Sequence, residues 1–262
     1  ANQDSVTSDS STEIGSYRLQ VAMDDQRIQS SSHLWSLLAE RKEDTNKSDL
    51  QDRVSDSLAI EYQGWLSDDL SLQAGIRRDE NESFSDATTW NTSVNYFVGK
   101  GVRLHTSAGR AVVNPSFFEF TGGTDSALNS GLEPEENLGF DIGVEFPSRT
   151  INGSVDVTYF REDLSNEIVA ENFAVPVSYK NQDGTSRRQG VELSFDSSLS
   201  ETLTLSGDYT YLDATDPDGS VEIRRPRNEL ALRLSWDVPQ IAVNVSAQVR
   251  HVRGLYDDQF WT

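Results

Sequence analysis

The stretch from Asn137 to Phe146, NLGFDIGVEF, alternates strictly. Leu138, Phe140, Ile142, Val144 and Phe146 fall on one side of an extended chain, and Asn137, Gly139, Asp141, Gly143 and Glu145 fall on the other. The same period of two recurs from end to end. Tyr17, Leu19, Val21 and Met23 form one apolar set; Leu58, Ile60 and Tyr62 form another; Leu70, Leu72, Ala74 and Ile76 a third. Trp90, Val94, Tyr96 and Val98 lead across a Gly-Lys pair to Val102, Leu104 and Ala108. Further on come Ile151, Val155, Val157 and Tyr159, then Val191, Leu193 and Phe195, then Leu203, Leu205, Tyr209 and Tyr211. Leu230, Leu232, Leu234 and Trp236 precede Ile241, Val243, Val245, Ala247 and Val249. Only HLWSLLAERKE, around residue 35, keeps no single register, and a short helix is an open alternative there.

This patterning predicts an all-β fold, an antiparallel meander of about twelve strands with no helix between them. The connections alternate in length. LSDD (66–69), GK (99–100), PSRT (147–150), SLSE (198–201) and VPQ (238–240) are short, whereas 44–53, 80–86, 111–136, 163–184 and 214–224 are long. All seven prolines lie in links or at strand ends, where a missing ladder donor does no harm.

Period two alone has two physical readings. In a soluble β-sandwich binding module the apolar face is sealed against a second sheet; in a transmembrane barrel it touches lipid. Tight turns at one rim and long loops at the other favour the barrel, as do two aromatic levels: Trp65, Tyr96, Phe146, Phe195 and Trp236 near the short turns, and Trp90, Tyr159 and Tyr211 toward the long loops. The polar register is mostly short and uncharged, as in Asn152, Ser154, Asp156 and Thr158, or Asn244, Ser246 and Gln248. The centres of the apolar register carry no charge. Passive porin-like and energised barrels remain alternatives on pattern alone.

Composition narrows the partners. Asp plus Glu number 43 against 22 Lys plus Arg, a net charge of −21, which argues against nucleic acid as a partner because phosphate binding needs a basic surface. There is no cysteine, so no disulfide framework and no thiolate metal site. No apolar run approaches the roughly 20 residues of a spanning helix, whereas barrel strands need only about 9 to 11.

Three stretches resemble the TonB-dependent outer-membrane receptors. LHTSAGRAVVNPSFFEF (104–120) resembles a family strand running into a loop, through Gly109, Pro115, Phe118 and Glu119. NSGLEPEENLGFDIGVEF resembles a signature of the form N-x-x-L-x-P-E followed by a strand ending G-x-E, through Asn129, Leu132, Pro134, Glu135, Gly143 and Glu145. The stretch from Arg187 to Trp236 resembles later barrel strands, with Gly190, Val191 and Glu192 as its G-V-E and Arg225 and Pro226 as the R-P that restarts a strand. Within the family the last stretch is most similar to cobalamin-type receptors.

The resemblance implies part of a transmembrane β-barrel of about 22 strands enclosing a plug. It implies residues 14–253 as partial barrel, 1–13 as a polar loop tail and 254–262 as a truncated extracellular loop. The plug domain of the same parent chain, and the N-terminal part that engages the TonB energy-coupling protein, are expected outside this segment. The implied setting is the bacterial outer membrane with its lipid, and the implied role is uptake of a bulky small molecule or metal chelate, such as cobalamin or a ferric siderophore. No enzymatic activity and no cofactor are expected.

Candidate chemistry from the residues is sparse. His33, His105 and His251 lie in no catalytic or zinc spacing. DATDPDG (213–219) has Ala214 where an EF-hand's first ligand belongs and Arg225 where its bidentate Glu belongs, and reads as a solvated Asp-Gly turn. Arg224, Arg225 and Arg227 are expected to pair with acidic loops or with lumen carboxylates such as Asp208 and Glu192. Loop aromatics are the ligand candidates: Phe117, Phe118, Phe120, Phe173 and Tyr179.

Overall fold

A computed structural model describes residues 10–24, 26–46, 51–122, 129–171 and 176–257. Alternating residues on an extended backbone can satisfy every N–H and C=O only by pairing with neighbours, and here they do so in one antiparallel sheet. Its strands are β1 (Ser10–Ala22), β2 (His33–Asn46), β3 (Gln51–Ser67), β4 (Leu70–Asn81), β5 (Ala87–Val98), β6 (Val102–Val113), β7 (Glu135–Ser148) and β8 (Gly153–Ser165). A small pair, β9 (Ile168–Ala170) and β10 (Tyr179–Asn181), stands apart within a link. The sheet resumes with β11 (Thr185–Ser198), β12 (Leu203–Thr215), β13 (Asn228–Val238) and β14 (Val243–Arg253). The 12-stranded sheet follows chain order, with β11 beside β8 and with β1 and β14 at its edges.

Register carries the apolar positions across the sheet as continuous rows. Leu19 faces Leu37, which faces Ile60, then Ile76 and Trp90. Farther round, Leu104 leads through Val144, Val157, Leu193 and Tyr209 to Leu230. Nothing in the described residues covers this face: Leu19 is 61 % exposed, Ile142 59 % and Val249 64 %. The buried apolar side chains are few, Leu34, Ala87, Leu132, Val177 and Ala214, and two of these lie in links. A β-sandwich would place a second sheet over the apolar rows. The sheet described is single, so the sandwich reading is overturned.

Toward the long-loop rim the apolar register turns ionic, with Arg78 on Asp86, Arg110 on Glu136 and Arg161 on Asp163. At the other rim Tyr96, Phe146 and Trp236 remain exposed on the apolar face. Trp65 departs from the expected girdle. It pairs with Ser71, on the polar face, where it packs 5.7 Å from Phe97, and a bulge follows between Trp65 and Ser67. The shift was visible in the spacing, since Ile60 and Tyr62 put the apolar register on even positions.

Three further departures concern the links. HLWSLLAERKE is strand throughout, because pairing on both sides with β1 and β3 overrides its irregular pattern; Leu34 and Leu38 simply face inward with Ser36 and Glu40. The 111–136 link, expected without helix, contains the one-turn helix α1 (Phe117–Thr121). β1 begins at Ser10, inside the stretch expected as a polar tail, while residues 1–9 and 258–262 lie outside the described residues.

Because Ile142 sits at mid-strand on the uncovered face, between Thr106 and Tyr159, Ile142→Arg is expected to cost about 2–4 kcal/mol in a bilayer. Ser194→Arg, on the opposite face, is expected to cost under about 1 kcal/mol. Urea midpoints of the receptor refolded into phospholipid vesicles measure the difference.

Candidate functional site

The long-loop rim carries an assembly built from the described residues of two links, 114–122 with 129–134 and 166–171 with 176–184. In the first, Ser116 and Glu119 stand three apart before an aromatic run, the spacing of a capping box. The Ser116 hydroxyl accepts from the Glu119 N–H at 3.2 Å, and the Glu119 carboxylate accepts from the Ser116 N–H at 2.7 Å. Gly122 closes α1 in the left-handed region at φ 64° and donates to the Phe118 carbonyl. A side chain there would lie 2.3 Å from the Val177 carbonyl, so glycine is also what lets the second link approach.

Asn129 joins the two links. Its side-chain amide donates to the carbonyls of Glu119 at 2.6 Å and Val177 at 3.2 Å, and its oxygen accepts from the Tyr179 N–H at 3.2 Å. Asn181 does the converse from β10, donating to the carbonyls of Glu133 and Asn166 and accepting from the Glu133 N–H. Leu132 and Pro134 are buried beneath, and a Glu135 oxygen takes the Ile168 N–H at 2.7 Å. Asn129 and Glu135 of the N-x-x-L-x-P-E stretch therefore staple one link to the other, with Leu132 and Pro134 buried beneath them.

The expected ligand aromatics divide. Phe117 and Phe120 are half-buried, stacked on the Arg53 guanidinium, with Phe120 edge-on to Phe84 at 5.6 Å. Phe118 is 53 % exposed and meets the half-buried Tyr179 edge-to-face at 6.3 Å, so one ring from each link contributes to a pair whose Phe118 side is open to solvent. Phe173 lies outside the described residues. Arg53, Phe84 and Asn181 had no signal in the sequence; the Ser116–Glu119 capping-box spacing is the one signal that could have revealed the helix that Arg53 grips.

The other motif residues sit in the wall. Pro115 is buried at the loop entry, and Gly109 lies in β6 opposite Asn91. Gly190 lies where a side chain would come within 2.0 Å of the Tyr211 carbonyl, and Glu192 faces the polar side between Thr158 and Thr210. Arg225, beside Pro226, pairs with Glu222 at 2.9 Å, Arg224 with Asp257 at 2.9 Å and Arg227 with Asp213 at 3.6 Å. These are rim carboxylates; Asp208 and Glu192 are not their partners. In DATDPDG the Ser220 N–H binds Asp218 and the Asp216 N–H binds the Ser220 carbonyl, the hydrogen bonding of a turn.

Beneath the assembly the polar face lines a cavity of about 1210 Å³. On this face His105 bridges Asp156 at 2.9 Å and Asp141 at 4.0 Å, while Arg103 holds Glu145 at 2.8 Å. Arg103 and Glu145 match opposite charges across the adjacent strands β6 and β7, which suits a hydrated wall. Glu222 is the most enclosed carboxylate of the rim network. Burial pushes its pKa up, but hydrogen bonds from Arg188 at 2.6 Å and from Arg225 outweigh that and hold it below the ordinary 4.5.

The family description "TonB dependent receptor-like, beta-barrel" matches residues 11–261. The metal-pseudopaline receptor CntO of Pseudomonas aeruginosa is 29 % identical over 139 residues, 53 % of this chain and 18 % of that protein. Among solved structures, the ferric enterobactin receptor PfeA of Pseudomonas aeruginosa superposes with a TM-score of 0.76 at 16 % identity, covering 93 % of this chain and 41 % of the other. The siderophore receptor PirA of the same organism gives 0.67 at 18 % identity, covering 92 % and 46 %. The chain thus spans under half the length of the receptors it matches.

Two outcomes follow from the stitched rim. Asn129→Ala leaves buried backbone groups unpaired and is expected to cost about 1–3 kcal/mol locally, read as faster amide exchange at 168–170 and 177–181 with the wall unchanged. For Glu222, a depressed pKa means stabilisation that is fully present above about 4.5 and lost as pH falls through the folded value. Between about pH 7 and about pH 3, the wild-type urea midpoint is expected to fall further than that of Glu222→Gln.

Proposed function

The chain belongs to the TonB-dependent receptor-like β-barrel family, and from that premise we propose that it forms barrel wall and outer loops of an outer-membrane receptor for a ferric or other metal chelate. The observation that carries the reading is the Phe118–Tyr179 pair, an exposed ring beside a half-buried one, held by two loops stapled to each other above a polar wall. A metal chelate with aromatic or planar ligating groups presents faces that such a ring pair stacks on. The matched relatives bear names for metal-pseudopaline, siderophore and ferric enterobactin. That favours a chelated metal as the class of ligand over the cobalamin expectation.

In this reading the ring pair makes first contact and the loop assembly orients the chelate over the lumen. The polar wall, with His105, Arg103 and their carboxylates, surrounds a plug contributed by the parent chain. Energy arrives through TonB acting on that plug. The apolar rows contact lipid, and the ionic rim marks the level of the outer headgroups. The protein's work is capture and translocation, with no bond made or broken in the ligand.

Iron-59-labelled ferric enterobactin serves as the probe, in cells lacking other siderophore receptors and expressing the intact receptor. Uptake is expected to require TonB, and entry independent of TonB would instead mark a passive pore. Phe118→Ala and Tyr179→Ala are each expected to weaken binding about tenfold, about 1.4 kcal/mol, with the folded barrel retained. Unchanged binding in both variants would remove the ring pair from the mechanism.

A further inference from the structure

We propose that Arg53 is the positioning residue that latches the stapled loop assembly over the lumen, an inference that rests on the capture role above. Arg53 stands in β3, at the long-loop end. Its guanidinium lies 3.9 Å from the Phe117 ring centre, 4.7 Å from Phe84 and 5.2 Å from Phe120. Its Nη1 donates to the Pro115 carbonyl at 2.7 Å and its Nη2 to the Ser116 carbonyl at 3.3 Å. One side chain thus joins β3, the β4–β5 link and the two residues that lead into α1.

The chemistry requires arginine. A planar guanidinium stacks on ring faces while its edge donates in the plane to two successive carbonyls, whereas an ammonium offers neither the plane nor the fork. The assembly has a second attachment on the far side, where Glu135 takes the Ile168 N–H and Ser186 binds Glu167, next to β7, β8 and β11. With both attachments made, the loops bridge the concave face. Arg53, Phe84 and Phe117 then form the upper lining of the cavity whose wall includes Arg77, Asn91 and Asp141. Loss of the Arg53 side chain removes the ring stack and both carbonyl bonds on this side and leaves the Phe84–Phe120 edge contact there, so the stapled unit loosens as a flap about its far attachment.

These 262 residues contain no cysteine, so, with any cysteine elsewhere in the receptor replaced by serine, two introduced ones report directly. Nitroxide labels at Ser130→Cys, beside the Asn129 staple, and Glu80→Cys, on the wall, report the distance between loop assembly and barrel in the intact receptor by pulsed electron resonance. The latched protein is expected to give one main distance, with any longer one under about 10 % of the population. Arg53→Ala and Arg53→Lys are expected to make the longer distance the larger share. Phe84→Ala, which keeps the charge and both hydrogen bonds, is expected to shift it in the same direction and guards against misfolding of the arginine variants. A folded Arg53→Ala barrel with the wild-type distance, or a Phe84→Ala distribution identical to wild type, would overturn the latch. The readout contains no ligand, so a receptor that ignores ferric enterobactin yet opens on these substitutions refutes the capture reading and leaves the latch standing.

Discussion

A strand whose side chains touch hydrocarbon has nowhere to place its backbone N–H and C=O groups except on the strands beside it. That single requirement explains most of the molecule. It makes every strand of the sheet antiparallel to its chain neighbour, because only tight turns and rim loops are available as connections. It also keeps ladder pairing continuous over strands of eleven to seventeen residues. A one-residue slip would turn the apolar Leu and Val rows to the polar side and Asp and Asn to the apolar side, so register is strongly specified, and each strand between β1 and β14 has it fixed by two neighbours at once.

Stability is consequently organised inside out relative to a soluble domain. The apolar rows lie uncovered, as a lipid-facing surface requires, and the described residues contain almost no apolar core. The polar face is held by matched ion pairs across strands, such as Arg77 between Glu40 and Asp79 and Arg103 beside Glu145. Partly exposed pairs of this kind contribute little individually. Their repetition satisfies each charge locally, leaving a surface that water or a polar partner can line.

The wall was legible because lipid and water impose opposite demands on alternate residues, and the demand repeats in every strand. What escaped reading has local causes. Trp65 lies near a short turn, which suggested the girdle, but its odd position puts it on the polar face, and the bulge follows it. The strand at His33–Asn46 carries Leu34 and Leu38 inward, so its pattern blurs until pairing with β1 and β3 imposes the order. At the rim, the motif residues Asn129, Leu132 and Glu135 were legible as important but not as staples, since their partners Val177, Tyr179 and Ile168 lie far along the chain. Arg53 had no signal at all, because its rings come from two other links.

The loops face a problem that the wall does not. In the proposed setting, above the membrane, they have neither lipid to drive apolar burial nor a second sheet to pack against, yet the proposed capture role needs a preorganised surface. The structure answers with side-chain amides and one guanidinium in place of a core. Asn129 and Asn181 take up the backbone groups that a ladder would otherwise satisfy, and Arg53 supplies the packing surface for Phe84, Phe117 and Phe120 that aliphatic side chains would give elsewhere. Phe118 can then point outward at 53 % exposure, because its neighbours in sequence already anchor the helix from beneath. Holding the loops with a few directional contacts leaves them separable from the barrel as a unit, a property that a continuous hydrophobic core would have removed.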